Sequence, residues 1–111
     1  MDNLEHERQL IRQILNEYAG HRYLNSTITN VTVFDEKADR YLVIMMGREN
    51  KKLVHGCLIH VEIIDGKIWI QRDGTEYGIA NELVDVGIPK DRIVLGFKSP
   101  ELRKQTEFAA A

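Results

Sequence analysis

Apolar positions recur along the chain with a period that changes from helical to extended and back. Between about Asn3 and Ala19, Leu4, Ile11, Ile14, Leu15 and Tyr18 fall on one stripe at helical spacing. Asp2 with Glu5 three residues on has the form of a capping box, and Gly20 supplies a stop. The opposite face, with Glu7, Arg8, Gln9, Arg12, Gln13 and Asn16, is expected to meet water. Strand patterning follows. Thr27 to Phe34 is rich in Thr and Val, and residues 35–39 read as a hairpin loop. Tyr41 to Met46 is continuously apolar, the pattern of a central strand covered on both faces. Gly47 to Lys51 reads as a second turn, Leu53 to Ile64 as a long strand, and Lys67 to Arg72 as its partner across Asp65-Gly66.

Beyond Asp73-Gly74-Thr75 the period returns to helical. Ile79, Ala80, Leu83 and Val86 share a face of a helix placed at about Glu76 to Val86, with Gly87 in the left-handed cap position and Pro89 after it. Ile93 to Phe97 reads as a short buried strand, and Ser99-Pro100 opens a last helical turn with Ser as cap and Pro at the first position. The order α-β-β-β-β-α-β-short α predicts an α+β fold: an antiparallel four-stranded meander plus a fifth strand, helices on one face of the sheet. At 111 residues it forms one domain, residues 1–111.

The two-residue Asp65-Gly66 turn sets a pairing register. It places Ile63 opposite Ile68, Val61 opposite Ile70, Ile59 opposite Arg72, Glu62 opposite Trp69 and His60 opposite Gln71. Ile59, Val61, Ile63, Ile68 and Ile70 then make the face that takes the helices. Leu58, His60, Glu62, Trp69 and Gln71 make the other. A tryptophan among polar neighbours is the composition of a protein-binding surface, and these five residues are the candidate partner site.

Composition narrows the chemistry. Apolar residues are 43% and charged residues 29%, a folding profile. The single cysteine, Cys57, excludes an intrachain disulfide and a Cys-based zinc site. No apolar run reaches the ~20 residues of a membrane helix, and the polar start does not resemble a signal peptide; a soluble protein of the cytoplasm is expected. Fifteen Lys and Arg against seventeen Asp and Glu give a net charge of −2, which argues against DNA binding by bulk charge.

Individual motifs each have a plainer reading. His60-Val61-Glu62 has the form of half a zinc-deaminase signature, but its two-cysteine half is absent. An ordinary cross-strand polar pair is the preferred reading. His55 and Cys57 share a strand face and read as core. Asp73 and Glu76 have the residue types of a Mg²⁺ carboxylate pair, yet they lie where a helix begins and read as capping residues. Ser26 and Ser99, the two serines, lie in no nucleophile elbow, and there is no phosphate-binding glycine motif. Asn25-Ser26-Thr27 and Asn30-Val31-Thr32 match the glycosylation sequon, read as chance matches without a signal peptide. No catalytic residue, metal ligand or cofactor is expected. The alternative is a small metal-dependent nuclease or hydrolase built from His60, Glu62, Asp73 and Glu76.

Longer stretches carry a family resemblance. Asp65 to Leu83 (DGKIWIQRDGTEYGIANEL) and Gly87 to Phe97 (GIPKDRIVLGF) closely resemble the XisI-like family, the fdxN element excision controlling factors associated with cyanobacteria. Gly56 to His60, Asp39 to Leu42, and the ending with Ser99-Pro100, Arg103, Thr106 and Phe108-Ala109 fit as well, so the likeness covers almost the whole chain. The resemblance implies an accessory role in programmed DNA rearrangement, the excision of an element that interrupts a nitrogen-fixation gene during heterocyst differentiation. It implies that a separate recombinase does the chemistry and that the partner is a XisH-like protein. Self-association as a homodimer is a further expectation, with DNA contacted only weakly or indirectly.

Overall fold

The structure is a computed structural model that describes residues 3–20, 23 and 27–111. Asp2 of the expected capping box and Asn25-Ser26 of the first sequon lie outside the described residues. The elements are α1 (Asn3–Ala19), β1 (Thr29–Asp35), β2 (Arg40–Glu49), β3 (Lys52–Ile64), β4 (Lys67–Asp73), α2 (Ile79–Asp85), β5 (Ile93–Leu95) and α3 (Pro100–Arg103), with a 3-10 turn at Lys90–Arg92. The α+β architecture and element order follow the sequence pattern. The strands lie in the order β1-β2-β3-β4-β5. The first three pairings are antiparallel, but β4 and β5 run parallel, so the sheet is mixed. The parallel pair results from the α2 crossover, which returns the chain in the direction it left.

α1 and α2 cover one sheet face. Ile11, Ile14 and Leu15 of α1 and Ile79 and Leu83 of α2 pack with Tyr41, Val43, Ile59, Val61, Ile68 and Ile70 in one core. Each isoleucine so buried contributes roughly 2–3 kcal/mol, which makes this the face that holds the domain together. Tyr41 is fully buried, and its hydroxyl donates to Asp39 at 2.9 Å. Burial, then that bond, pushes the hydroxyl pKa up to about 12. Asp39 also takes a two-pronged bond from Arg8 of α1, at 2.8 and 3.1 Å.

The polar side of α1 is not all solvated. Glu7 is 7% exposed and accepts two bonds from Arg92, at 2.7 and 3.1 Å, across 85 residues of chain. Asn30 of the second sequon is buried too, with its amide donating to the Tyr18 carbonyl at 2.8 Å. That places it out of reach of a glycosylating enzyme.

Turn chemistry sets the hairpins. Asp65 and Gly66 have φ of 50° and 78°, the left-handed pair of a type I′ turn. The turn between β2 and β3 is tighter than the sequence pattern predicts. Only Asn50 and Lys51 form it, with φ of 52° and 67°, and the strands run on to Glu49 and from Lys52. Gly47 is therefore a strand residue. A Cβ there would stand 2.6 Å from the Ile28 Cα, so the close approach of that backbone requires glycine.

Two bulges break the simple register. The β2–β3 pairing shifts between Val43 and Ile44: Val43 faces Ile59 but Ile44 faces Cys57, which leaves Leu58 as the extra residue. The β3–β4 pairing shifts between His60 and Val61, which leaves Gln71 extra. Ile63–Ile68, Val61–Ile70 and Glu62–Trp69 pair as the turn dictates. Past the bulge, His60 faces Arg72 and Ile59 faces Asp73, each one residue beyond the expected partner.

Candidate functional site

The face opposite α1 and α2 is built in rows, because residues paired across antiparallel strands point to the same side. One row is Asp35, Arg40, Glu62, Trp69 and Val94, one residue from each strand. The next is Val33, Leu42, His60 and Arg72, and beyond it Val31, Ile44 and Cys57. The first rows are polar and the later ones apolar.

In the polar rows, His60 Nε2 lies 2.8 Å from Glu62 Oε1, the two side chains sharing a face as alternate strand residues. Arg40 Nε lies 3.5 Å from the same Glu62 oxygen. Trp69 is half-buried, not bare. The α3 residue Arg103 stacks its guanidinium 5.3 Å from the indole centroid, a cation–π contact. Arg103 is held there by the Lys98 carbonyl at 2.8 Å and the Ala110 carbonyl at 2.9 Å. Ser99 caps α3 by accepting from the Leu102 N–H, as its Ser-Pro start predicts. The chain then returns along the sheet edge, where the Ala109 N–H donates to the Ile93 carbonyl at 2.9 Å. Gly96 passes close above Gln71 and Trp69, 3.1 Å from the indole measured from an added Cβ. The C-terminal segment thus screens the β4–β5 half of this face.

Of the five residues expected to share the site, His60, Glu62, Trp69 and Gln71 are brought together here. Leu58 is not. As the bulge residue it is turned to the helix side, 9% exposed and part of the main core. His55 and Cys57 do share a strand side, but they are not core: His55 is exposed and Cys57 half-buried on the open face. Burial pushes the Cys57 thiol up, so it carries little thiolate.

Asp73 and Glu76 lie elsewhere. Asp73 pairs with Ile59, which faces the helices, and its carboxylate organises the entry to α2. One oxygen accepts from the Thr75 N–H and hydroxyl at 2.9 and 2.6 Å, the other from the Ile79 N–H at 2.8 Å. This capping shifts the start of α2 from the expected Glu76 to Ile79. Glu76 is exposed and no hydrogen bond joins it to Asp73. The His60, Glu62, Asp73 and Glu76 set is therefore split between opposite sides of the sheet and does not form one site. Among the described residues no group of three or more His, Cys, Asp and Glu side chains is placed to hold a metal ion.

Sequence reasoning missed Arg40 and Arg103. Arg40 reaches Glu62 only once the two-residue β2–β3 turn and the Leu58 bulge are known. Arg103 lies 34 positions from Trp69, with no local signal linking them.

A fold in which the first α-helix, the meander and the crossover occupy almost the whole chain can be compared end to end. The family model described as XisI protein matches residues 1–110. The chain belongs to the XisI protein family. A crystal structure of a XisI-like protein from Anabaena variabilis superposes with a TM-score of 0.88 at 30% identity, covering 97% of this chain and 99% of that one. The crystal structure of fdxN element excision controlling factor XisI from Anabaena variabilis gives 0.83 at 38% identity, covering 99% and 100%. No curated protein matches the chain. The α+β fold with the mixed five-stranded sheet described above matches that of these XisI-like structures. Among the described residues no helix is long and apolar enough to cross a membrane.

Proposed function

We propose that this chain is a controlling factor for programmed excision of a DNA element and acts in the cytoplasm as a non-enzymatic partner of a XisH-like protein. The observation that carries this reading is the end-to-end likeness to the Anabaena fdxN excision controlling factor XisI, 38% identical over 99% of the chain. The site geometry supports a contact role. Glu62 is bonded to His60 and lies beside Arg40, and Asp73 is committed to capping, so these carboxylates have structural work. Trp69 under Arg103, with Arg40, Glu62 and Gln71 near it, has the aromatic and arginine content in which binding energy concentrates.

Co-expression with a XisH-like protein, followed by co-purification, tests this. The wild-type chain is expected to capture the partner, and Trp69→Ala to weaken capture at least tenfold, since losing an aromatic anchor costs ~2 kcal/mol. Far-ultraviolet circular dichroism of the variant is expected to stay native. Undiminished capture by Trp69→Ala places the contact elsewhere; no capture by the wild type overturns the partner.

A further inference from the structure

We propose that the open sheet face around Trp69 is a receptor for carboxylates, and that its occupant is an acidic segment of the XisH-like protein. This deepens the partner reading given above and rests on it for the identity of the occupant.

The arginines on the two sides of the sheet are held in different ways. Around α1, Arg8, Arg12 and Arg92 each face a carboxylate, at 2.8, 3.0 and 2.7 Å. Those charges are neutralised inside the fold. On the open side the partners are main-chain carbonyls instead. Arg72 Nε donates to the Cys57 carbonyl at 3.3 Å, and Arg103 donates to the Lys98 and Ala110 carbonyls. Among the described residues neither has a carboxylate within ion-pair distance. A carbonyl fixes a guanidinium in place without cancelling its charge, and leaves other N–H groups of its five for a ligand. Arg40, 59% exposed, is the third cation; Glu62 Oε1 lies 3.5 Å from it and 2.8 Å from His60 Nε2. One carboxylate thus serves two bases. The net charge of −2 hides this patch.

The layout defines what fits. Arg40 stands in the row of Glu62 and Trp69, Arg72 stands opposite His60 in the next row, and Arg103 lies over the indole. Asp35, the other strand acid on this side, accepts the Lys37 and Ala38 N–H groups of its own turn. Strands about 4.8 Å apart and rising ~3.3 Å per residue put Arg40 and Arg72 roughly 12 Å apart. An extended peptide with acidic side chains two to four residues apart reaches both. Guanidiniums held in advance lose little freedom on pairing with carboxylates, and such pairs are the stronger kind of hydrogen bond. The neighbouring rows contain Val33, Leu42 and Ile44, which suit apolar side chains alternating with the acids. A nucleic-acid backbone offers nothing to those rows, and three cations make a small footprint for it.

Trp69 is the single tryptophan, so its fluorescence reads the site directly. Titration of the full chain with poly-L-glutamate at about 50 mM salt is expected to change that emission saturably, and about 500 mM salt to reverse it. Poly-L-lysine is expected to leave it unchanged. Arg72→Glu and Arg40→Glu should each weaken the response at least tenfold with circular dichroism native, and Arg72→Gln should fall between Arg72→Glu and the wild type. Lys52→Glu, on the helix side of the sheet beside Glu49, should stay within twofold. No response by the wild type, or an undiminished one in both reversal variants, overturns the receptor. A short DNA duplex that binds more tightly than poly-L-glutamate at equal charge overturns the peptide in favour of phosphate. Capture of the XisH-like protein should weaken in the same two variants, and undiminished capture by both overturns that occupant. A wild type that responds to poly-L-glutamate but captures no XisH-like protein sinks the partner reading and leaves the carboxylate receptor standing.

Discussion

Asp39 shows how much one carboxylate can hold. It sits at φ 54° in the β1–β2 turn and receives Arg8 from the helix above and the Tyr41 hydroxyl from the core below. The Arg8 hydrogen bond, helped by Tyr41 and opposed by partial burial, holds its carboxyl below the ordinary value of 3.8. A carboxyl depressed in the folded state contributes stability that is complete above its unfolded value. That contribution is lost as pH falls below about 3.9 and through the lower folded value. Urea midpoints at pH 5 and pH 2.5 should therefore fall further for the wild type than for Asp39→Asn. Asparagine tolerates a left-handed backbone, so the variant adds no strain of its own. Glu107, held down by Lys90, contributes equally to both proteins and cancels. Equal falls for the two would mean that Asp39 carries none of the acid sensitivity. None of this was legible from the residues alone, since Arg8 and Asp39 are 31 positions apart and meet only through the packing of α1 on β2.

Elements were legible where local chemistry decides them and misleading where one extra residue intervenes. The Asp65-Gly66 hairpin is the clearest local signal, and three of its five inferred pairs form. Gly66→Val tests that turn. Nothing lies within 4 Å of a Cβ at Gly66, so the substitution acts through its φ of 78° alone. The expected loss is about 1–3 kcal/mol in chemical denaturation, the cost of a β-branched residue in a left-handed position. An unchanged midpoint would show that the turn geometry contributes little. The bulges are a different matter. Strand side chains alternate with period two, so an extra residue at Leu58 reverses every assignment before it relative to β2. Nothing in Cys57-Leu58-Ile59 marks the insertion, which is why Leu58 was placed with Trp69 and is found in the core. The start of α2 fails for a related reason: Asp73 caps from six residues away, through Thr75, at a distance that sequence capping rules do not cover.

For the whole molecule, the distribution of charge bears on DNA. A protein that holds duplex DNA does so largely by neutralising phosphates, so it needs lysines and arginines arrayed on one surface. Here the net charge is −2, and many of the cations are engaged within the fold. Arg8 is paired with Asp39, Arg12 with Glu36, Arg92 with Glu7 and Lys90 with Glu107, while Arg103 lies over Trp69. One basic spot is Arg48, Lys51 and Lys52 at the β2–β3 turn, three charges at one end of a sheet rather than a stripe along it. Three phosphate contacts give a shallow salt dependence and little affinity. The isolated protein should therefore bind duplex DNA with a dissociation constant above about 10 μM at 150 mM salt, without sequence preference. Fluorescence anisotropy with labelled duplexes, repeated with Arg48→Glu, measures this. The variant should weaken whatever association remains at low salt, because it removes one of these three charges and adds an opposite one. Sub-micromolar, sequence-selective binding at physiological salt would mean that the chain reads DNA itself. In that case the XisH-like partner proposed above would not be needed to bring it to DNA.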